Sequence, residues 1–315
     1  MRCLVTGGCG FVGSALVRRL LAQACEIVVV DDFSRGSPEN LGSDFDRVRV
    51  VREDVTNGLG RIFDDAQPDA VFHLAALHFI PDCDADPARC LRVNVDGTRE
   101  VLAATAALPR RVSLVLASTA AVYAPTDGPL REQADPLGPL DVYGHSKRWA
   151  EELAAEFAVR TGIAVGIARL FNVFGPGETN AHFIPSLISQ MQAGAPLRLG
   201  NLATKRDYVY VDDVAEALLQ LARNTSEGRP VTVNIGSGRA YAGHEVVTAL
   251  AGLTPAATET TPGVDPSRLR PVDRPMLLAD PALAQKLLDW TARTSLLEGL
   301  QAAWGRPVAS GVRLL

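Results

Sequence analysis

The stretch Cys3-Leu-Val-Thr-Gly-Gly-Cys-Gly-Phe-Val-Gly13 decides the fold of this chain. A short apolar run breaks into a cluster of glycines, and from Phe11 onward apolar residues recur at helical spacing. This order predicts a strand, a tight turn and a helix. Glycine suits such a turn because it accepts positive φ and lets the backbone approach a pyrophosphate closely, while the helix N-terminus offers N–H groups to the phosphates.

A second apolar run, Ile27-Val-Val-Val30, ends in Asp31 and Asp32, about 20 residues after the glycines. An acidic side chain at this position accepts hydrogen bonds from the ribose hydroxyls of an adenosine and repels a 2′-phosphate. The pattern therefore predicts a dinucleotide site that prefers NAD to NADP. The alternative is a glycine-rich turn beside an exposed acid, and the full series of strand, turn, helix, strand and acid argues against it.

Strand and helix patterns alternate along the first half of the chain. After the first two strands, apolar runs predict strands near 48–51, 70–76, 112–117 and 164–168, and amphipathic patterns predict long helices at 87–108 and 143–160. This rhythm predicts an α/β protein with a doubly wound parallel sheet of the Rossmann type.

The rhythm changes after residue 169, where a loop is predicted at 171–177. We expect an NAD-binding domain over residues 1–169, with part of 208–238 returning to it. Residues 170–315 are expected to form mainly a smaller, mixed α/β lobe that binds substrate.

Composition excludes several classes of function. The net charge of −5 and the lack of a basic run argue against nucleic acid as a partner. No apolar run is long enough to suggest a membrane partner, and with a first strand beginning near residue 2 we expect no signal peptide and a cytoplasmic protein. The five cysteines form no CxxC pair, which predicts free buried thiols and no metal site. His73 lies in an apolar run and is predicted to be a packed core residue.

Tyr143 and Lys147 stand at i and i+4, on one face of a predicted helix. A tyrosine acting as a base at neutral pH needs its pKa lowered by roughly 3 units, or about 4 kcal/mol. A nearby Lys⁺ and the positive nicotinamide ring both favour the phenolate. With the hydroxyl of Thr119 at the end of the preceding strand, this spacing predicts a catalytic set rather than a surface pair; His145 and Ser146 are predicted to be bystanders.

These motifs resemble the extended short-chain dehydrogenase/reductases, specifically the NAD-dependent nucleotide-sugar epimerase/dehydratase group, over nearly the full chain. The matching segments are Thr6 to Gly13, Asp31, Asp54-Val55, His73 to Ala76, Asn94 to Thr98, Ser118-Thr119, Val122-Tyr123, Tyr143 to Lys147, Arg169 to Pro176, Arg206-Asp207, Asn234 to Gly238, and Arg270 with Asp273.

The resemblance implies a role for each part of the site. Tyr143 would take a proton from the sugar 4-hydroxyl while C4 gives a hydride to NAD⁺, Lys147 would hold the nicotinamide ribose and lower the tyrosine pKa, and Thr119 would bind the reacting oxygen. The expected cofactor-binding residues are Gly7, Gly10, Phe11, Val12, Gly13, Asp31, Asp32, Ser34, Asp54, Val55, Leu74, Ala75, Ala76, Asn94, Tyr143 and Lys147. The expected substrate-binding residues are Ser118, Thr119, Asn172, Arg206, Arg270 and Asp273. The resemblance also implies a homodimer in which the two long helices pair across a two-fold axis.

Departures from the group narrow the reaction. Dehydratases of the group carry an Asp-Glu pair directly after the threonine, whereas this chain has Ala120 and Ala121. Without a second acid/base pair, water elimination has no evident catalyst. We therefore expect epimerisation at C4 of a nucleotide-diphosphate sugar, most simply a UDP-hexose or UDP-uronate.

Other readings stay open at this point. Ala124 stands where glycine is common, and the segment His78-Phe-Ile-Pro-Asp-Cys83 departs from the common epimerases and receives no role from the sequence. A 4-ketoreductase, a decarboxylase or a dehydratase would use the same hydride step. A protein that only senses NAD(H) would have no need for the three catalytic side chains together.

Overall fold

The structure is a computed structural model that describes residues 1–178, 180–253, 263–268 and 274–305. Within these residues the strands are β1 Arg2–Thr6, β2 Glu26–Asp31, β3 Arg49–Arg52, β4 Ala70–His73, β5 Ser113–Thr119, β6 Ala164–Leu170, β7 Asn172–Phe174, β8 Arg198–Leu199, β9 Lys205–Tyr210, β10 Val231–Ile235, β11 Ala240–Ala242, β12 Gly263–Val264 and β13 Met276–Leu277. The helices are α1 Phe11–Leu21, α2 Pro38–Leu41, α3 Gly60–Ala66, α4 Ile80–Ala85, α5 Pro87–Leu91, α6 Gly97–Ala106, α7 Val142–Thr161, α8 Phe183–Gln192, α9 Val211–Asn224, α10 Gly243–Gly252, α11 Ala282–Leu288 and α12 Leu296–Trp304.

A parallel sheet of seven strands, in the order β10-β6-β5-β4-β1-β2-β3, forms the base of the fold. The chain runs outward from β1 to β3 and then returns to β4 on the other side of β1. This reversal opens a crevice at the carboxyl ends of β1 and β4, where ligands bind in doubly wound sheets. The predicted α/β class and doubly wound parallel sheet are confirmed.

Helices cover both faces of this sheet. Along β1, Cys3 and Val5 enter one apolar cluster with α1 and α9, whereas Leu4 enters another with α6 and α7. This is the period of two expected for a strand that is buried on both faces. The five cysteines are all buried and free, as predicted.

A smaller sheet lies beyond β6 and has the order β11-β9-β13, with β7 pairing to β9. The loop predicted at 171–177 is therefore wrong in part, because Asn172–Phe174 is a strand parallel to β9. Three residues are too few to show a strand period in the sequence. The helices α8, α10 and α12 pack on a third apolar cluster in this region. No helix among the described residues has the length and apolar character needed to cross a membrane.

The two long predicted helices differ in regularity. The first is interrupted, since a π-helical turn at Arg92–Asp96 lies between α5 and α6. The second, α7, is continuous for 20 residues. A π turn inside a helix commonly accompanies a functional site, and this one holds Asn94, which is considered below.

His73 ends β4 and is packed between two threonines in the core. Thr98 Oγ1 donates to the carbonyl of Asn94 at 2.6 Å, so it accepts from His73 Nε2 at 3.0 Å. His73 Nδ1 then accepts from Thr6 Oγ1 at 2.7 Å. Burial, with a smaller effect of Lys147, lowers the pKa of His73 to about 3. The prediction of a core histidine is confirmed.

We expect His73 to make the fold acid-sensitive. The unfolded chain binds a proton at this residue near pH 6.5 and the folded chain does not, so stability falls as the pH falls from 6.5 toward 3. Between pH 6.5 and 5, His73 should lower the free energy of unfolding by roughly 1–2 kcal/mol. Urea unfolding at pH 6.5 and pH 5 measures the free energy of unfolding that is lost on acidification. This loss should be smaller for His73→Gln than for the wild type, and it should be the same as in the wild type for the exposed control His244→Gln. Equal losses in wild type and His73→Gln would contradict this assignment.

Glu151 on α7 and Arg169 on β6 form a buried ion pair beneath the crevice. Arg169 Nε lies 3.0 Å from Oε1 and Nη2 lies 2.7 Å from Oε2, so the pair is bidentate. The Ser118 hydroxyl also donates to the Glu151 carboxylate, and the guanidinium lies 4.7 Å above the Tyr123 ring. Burial opposes the charge on Arg169, but the bonds to Glu151 keep its pKa above the usual value.

We expect Glu151→Ala to destabilise the protein by about 3–5 kcal/mol, because it leaves a buried guanidinium without its carboxylate. The double variant Glu151→Leu/Arg169→Met should lose much less, since both charges are removed. Glu156→Ala breaks the exposed pair with Arg160 and should cost about 0.5 kcal/mol or less. Urea denaturation of the three variants measures this order, and a Glu151→Ala cost as small as that of Glu156→Ala would refute it.

Candidate active site

The glycine turn between β1 and α1 forms one end of the site. Gly7 has a φ of +70°, and a Cβ at Gly13 would lie 2.0 Å from the carbonyl oxygen of Gly7. Gly10 is the N-cap of α1 and supplies no side-chain cap, and the first turn of the helix carries no acidic residue. The first N–H groups of α1 and the positive end of its dipole are therefore directed at the crevice without a competing carboxylate.

Asp31 lies at the end of β2, beside this turn. Its Oδ2 accepts from the backbone N–H of Cys9 and its Oδ1 from that of Phe33, both at 2.9 Å. Burial raises the pKa of Asp31, and the two backbone bonds oppose that rise. Asp32 is more exposed and accepts from the Ser34 N–H at 2.8 Å. A carboxylate has about four acceptor positions, so Asp31 can hold the turn and still receive ribose hydroxyls.

Tyr143 and Lys147 are placed by the start of α7. Asp141 caps this helix by accepting from the Gly144 N–H at 2.7 Å, which puts Tyr143 in the first turn and Lys147 one turn further on. Thr119 lies at the end of β5, and its hydroxyl acts to lower the pKa of the Tyr143 phenol. Thr119 Oγ1 also accepts from the Ala121 N–H at 3.2 Å, which fixes its orientation. The structure thus brings the three predicted catalytic side chains together.

Burial controls the protonation of this group. It raises the pKa of Tyr143 above the ordinary value, and the neighbouring Thr119 hydroxyl only partly opposes the rise. Burial lowers the pKa of Lys147 to about 8, against the attraction of Glu151. Lys147 therefore does not by itself give Tyr143 the low pKa that the sequence suggested. A lower pKa would need a further positive charge close to the phenol.

One cavity of about 990 Å³ connects these parts. Nearly all the residues expected from the sequence line it, namely Gly7, Gly10, Phe11, Val12, Gly13, Asp31, Asp32, Ser34, Asp54, Val55, Leu74, Ala75, Ala76, Ser118, Thr119, Tyr143, Lys147, Asn172 and Arg206. The cavity extends from the N-terminus of α1 past the ends of β1, β2 and β4 to α7. The N–H groups of the glycine turn, the carboxylate of Asp31 and the side chains on α7 lie along this cavity, as the binding of an elongated dinucleotide requires.

Asn94 was predicted to contact the cofactor, and in the structure it does not line the cavity. It is fully buried in the π turn, where its amide donates to the Leu77 carbonyl at 2.9 Å and accepts from the Leu77 N–H at 2.8 Å. The same amide donates to Ser146 Oγ at 2.9 Å. Asn94 therefore holds the cavity wall in place from behind. Ser146, predicted to be a bystander, is its buried partner, whereas His145 is exposed.

Arginines gather at the other end of the cavity. Arg206 Nη1 donates to the carbonyls of Lys205 and Arg274 at 2.9 Å, and Arg268 and Arg274 also line the space. Arg268 and Arg274 were not predicted as site residues. Asn172 Oδ1 is a buried acceptor without a hydrogen-bond partner among the described residues. The predicted residues Arg270 and Asp273 lie outside the part of the chain that the structure describes.

His78, Glu178 and His182 form a cluster in the same cavity that sequence reasoning did not find. Burial lowers the pKa of His78 to about 4, against the attraction of Glu178. The only signals in the sequence were the unusual segment from His78 to Cys83 and the spacing of four residues between Glu178 and His182. A hundred residues separate the two signals, so only the fold joins them.

Comparison with known proteins agrees with this geometry. Residues 3–236 match the NAD dependent epimerase/dehydratase family. The chain is 31% identical to UDP-glucuronic acid decarboxylase 1 of Arabidopsis thaliana, over 95% of this chain and 68% of that protein. It is 30% identical to the UDP-glucose 4-epimerase of Mycolicibacterium smegmatis, over 95% of this chain and 96% of that one.

Solved structures show the same relation. The UDP-glucose 4-epimerase of Thermus thermophilus, in complex with NAD, superposes with a TM-score of 0.88 and 28% identity, covering 98% of this chain and 100% of that one. The family match spans more than two thirds of the 315 residues, and the cavity holds the glycine turn and the acid that NAD requires. The chain belongs to the NAD-dependent epimerase/dehydratase family, as an enzyme of its UDP-sugar epimerase and decarboxylase group with NAD as cofactor.

Proposed function

We propose that this enzyme epimerises C4 of a UDP-hexose or UDP-uronate through a transient 4-keto sugar. The observation that carries the proposal is that Tyr143, Thr119 and Lys147 line the cavity that also contains the glycine turn, with Lys147 one helical turn from Tyr143. NAD held along this cavity would supply the hydride acceptor for C4 and, once reduced, the hydride donor for the opposite face of the sugar.

Tyr143 is the proton-transfer group in this proposal. Its phenol oxygen takes the proton from the sugar 4-hydroxyl and gives it back after the sugar has turned over. Thr119 can bind the same oxygen because its hydroxyl lines the cavity with Tyr143 and is oriented by the Ala121 N–H. The phenol is half-buried and its pKa is raised, so the base forms only when positive charge is close.

Lys147 supplies part of that charge. With a pKa near 8 it is mostly protonated at neutral pH, although it is buried. We propose that its ammonium group also holds the nicotinamide ribose hydroxyls. Both roles require the charged form, so the pKa depressed by burial sets an alkaline limit on activity.

The diphosphate and nucleotide are assigned to the opposite end of the cavity. Arg206 offers a guanidinium there, and the unpartnered Oδ1 of Asn172 is available to a hydroxyl or N–H of the substrate. We propose the same group of contacts for Arg270 and Asp273. Arginine suits a diphosphate because its fork makes two charge-assisted hydrogen bonds to phosphate oxygens.

Two observations bear on the choice of reaction. The two residues after Thr119 are Ala120, which is fully buried, and Ala121, which lines the cavity. Neither methyl side chain can transfer a proton. Dehydration by the Asp-Glu pair that dehydratases of the group carry is therefore disfavoured. The 31% identity to a UDP-glucuronic acid decarboxylase keeps decarboxylation as the second candidate. A 4-keto uronate is a β-keto acid and loses CO₂ readily, so the same residues would serve that reaction.

We expect the purified enzyme, without added cofactor, to convert a UDP-hexose or UDP-uronate to its C4 epimer in D₂O, with no deuterium at C5 by NMR. Tyr143→Phe should lower kcat by about 10²–10⁴-fold, because the proton acceptor is lost. Tyr241→Phe, on β11 away from the cavity lining, is the matched control and should keep wild-type activity.

Other products would overturn the proposal in distinct ways. Release of CO₂ from a UDP-uronate would identify a decarboxylase. Stoichiometric use of added NADH would identify a reductase. Full activity of Tyr143→Phe would remove Tyr143 from the mechanism in every case.

We also propose that the enzyme is a homodimer that pairs the helical layer of α6 and α7 across a two-fold axis. On α7, Trp149 is 44% exposed and Val159 is 70% exposed. An interface along α7 would remove both apolar side chains from water, which is favourable. A two-fold axis would bury each of them against the same patch of the other copy.

Sedimentation at micromolar concentration should therefore give the mass of a dimer, and Trp149→Glu should give a monomer because it places a carboxylate in the apolar interface. Leu297→Glu changes an equally exposed apolar residue on α12 and should remain dimeric. A wild-type monomer, or a Trp149→Glu dimer of unchanged affinity, would be evidence against this interface.

A further inference from the structure

Three ligand-bearing side chains meet on the wall of the cavity. His78 follows β4, Glu178 follows β7, and His182 is the N-cap of α8. One ligand atom of each lies within 4.8 Å of the others. Glu178 is 7% exposed and the two histidines are half-buried. The cluster thus joins the NAD-binding sheet to the part of the chain beyond β6, inside the space where substrate is expected.

The side chains are held in this arrangement by their neighbours. The Asn180 backbone N–H and side-chain amide donate to Glu178 Oε1, at 2.9 and 3.2 Å. The same amide lies 3.0 Å from His78 Nε2, and the His182 N–H donates to the Asn180 carbonyl at 2.8 Å. The edge of the Phe79 ring packs against His182 with centroids 5.4 Å apart. The cluster is therefore a built site rather than a chance meeting of surface groups.

We propose that His78, Glu178 and His182 bind one divalent metal ion of the zinc class. Two imidazoles and one carboxylate are the protein ligands of many zinc sites that keep a position open. Zinc needs its ligand atoms about 3.3 Å apart, as follows from metal–ligand bonds of about 2.0–2.1 Å in a tetrahedron. From separations of up to 4.8 Å, this requires movements of an ångström or so, which side-chain rotation supplies.

The charge and position of the site suggest what the metal would hold. Glu178 alone contributes one negative charge to the cluster, so a dication makes the site net positive. The cavity lies on its open side, where hydroxyl or carboxylate oxygens of the sugar could complete the coordination. This contact with the sugar rests on the proposed function, whereas binding of the metal itself does not.

The first test measures metal binding without substrate. The full chain, freed of its purification tag and treated with a chelator, is titrated with Zn²⁺ by calorimetry. We expect one Zn²⁺ per chain, with affinity in the micromolar range or tighter. Glu178→Gln and His182→Ala should each weaken binding by about 100-fold or more. His244→Ala removes an exposed histidine on α10 and should bind as the wild type does.

Direct observation completes this test. A crystal grown with Zn²⁺ should show an anomalous peak among the three side chains. Thermal melting should show that Glu178→Gln remains folded, so that loss of binding is not loss of the protein. The proposal is overturned if the wild type binds Zn²⁺ no better than Glu178→Gln, or if the ion occupies another place.

The second test separates the metal from the reaction. Tyr143→Phe should bind Zn²⁺ as tightly as the wild type, whether or not the epimerase assignment is correct. With Co²⁺ as a spectroscopic probe, UDP-glucose or UDP-glucuronate should shift the visible absorption band if a sugar oxygen enters the coordination sphere. UDP alone should not shift it. An unchanged band with both sugars would refute the contact with substrate.

Discussion

The close approach of Gly7 and Gly13 is the constraint on which the rest of the site depends. A side chain at Gly13 would overlap the Gly7 carbonyl, so the first turn of α1 can pack against the end of β1 only with glycine in both places. This packing directs the N-terminus of α1 at the crevice between β1 and β4. The shape of the cofactor groove at this end of the cavity depends on that single contact.

The parts of the site that the sequence predicted are those encoded locally. The glycine turn, Asp31 after the second strand, and Tyr143 with Lys147 each occupy a short segment whose spacing has one structural meaning. The sheet followed from the alternation of strand and helix patterns, which needs no knowledge of distant contacts. The predicted sheet is confirmed, and the structure brings the predicted site segments to one cavity because local geometry decides their conformation.

The parts that the sequence missed depend on distant contacts. The hydrogen bonds of Asn94 were not predicted because its partners, Leu77 and Ser146, lie far from it in the chain. β7 was not predicted because three residues are too few to show the strand period, and only its pairing with the distant β9 defines it as a strand. The cluster of His78, Glu178 and His182 joins segments a hundred residues apart. Sequence periodicity reports local structure and therefore cannot predict such a contact.

One face of α7 shows how the enzyme keeps a charged group in a buried site. Tyr143, Lys147 and Glu151 follow one another at intervals of four residues, so the phenol, the ammonium and the carboxylate form a row along the helix. If Glu151 formed an ion pair with Lys147 alone, the two charges would neutralise each other, and little positive field would reach Tyr143. Arg169 and Ser118 instead take up the Glu151 carboxylate through hydrogen bonds. Glu151 then favours the charged form of Lys147 through its electric field, while its hydrogen bonds go to Arg169 and Ser118.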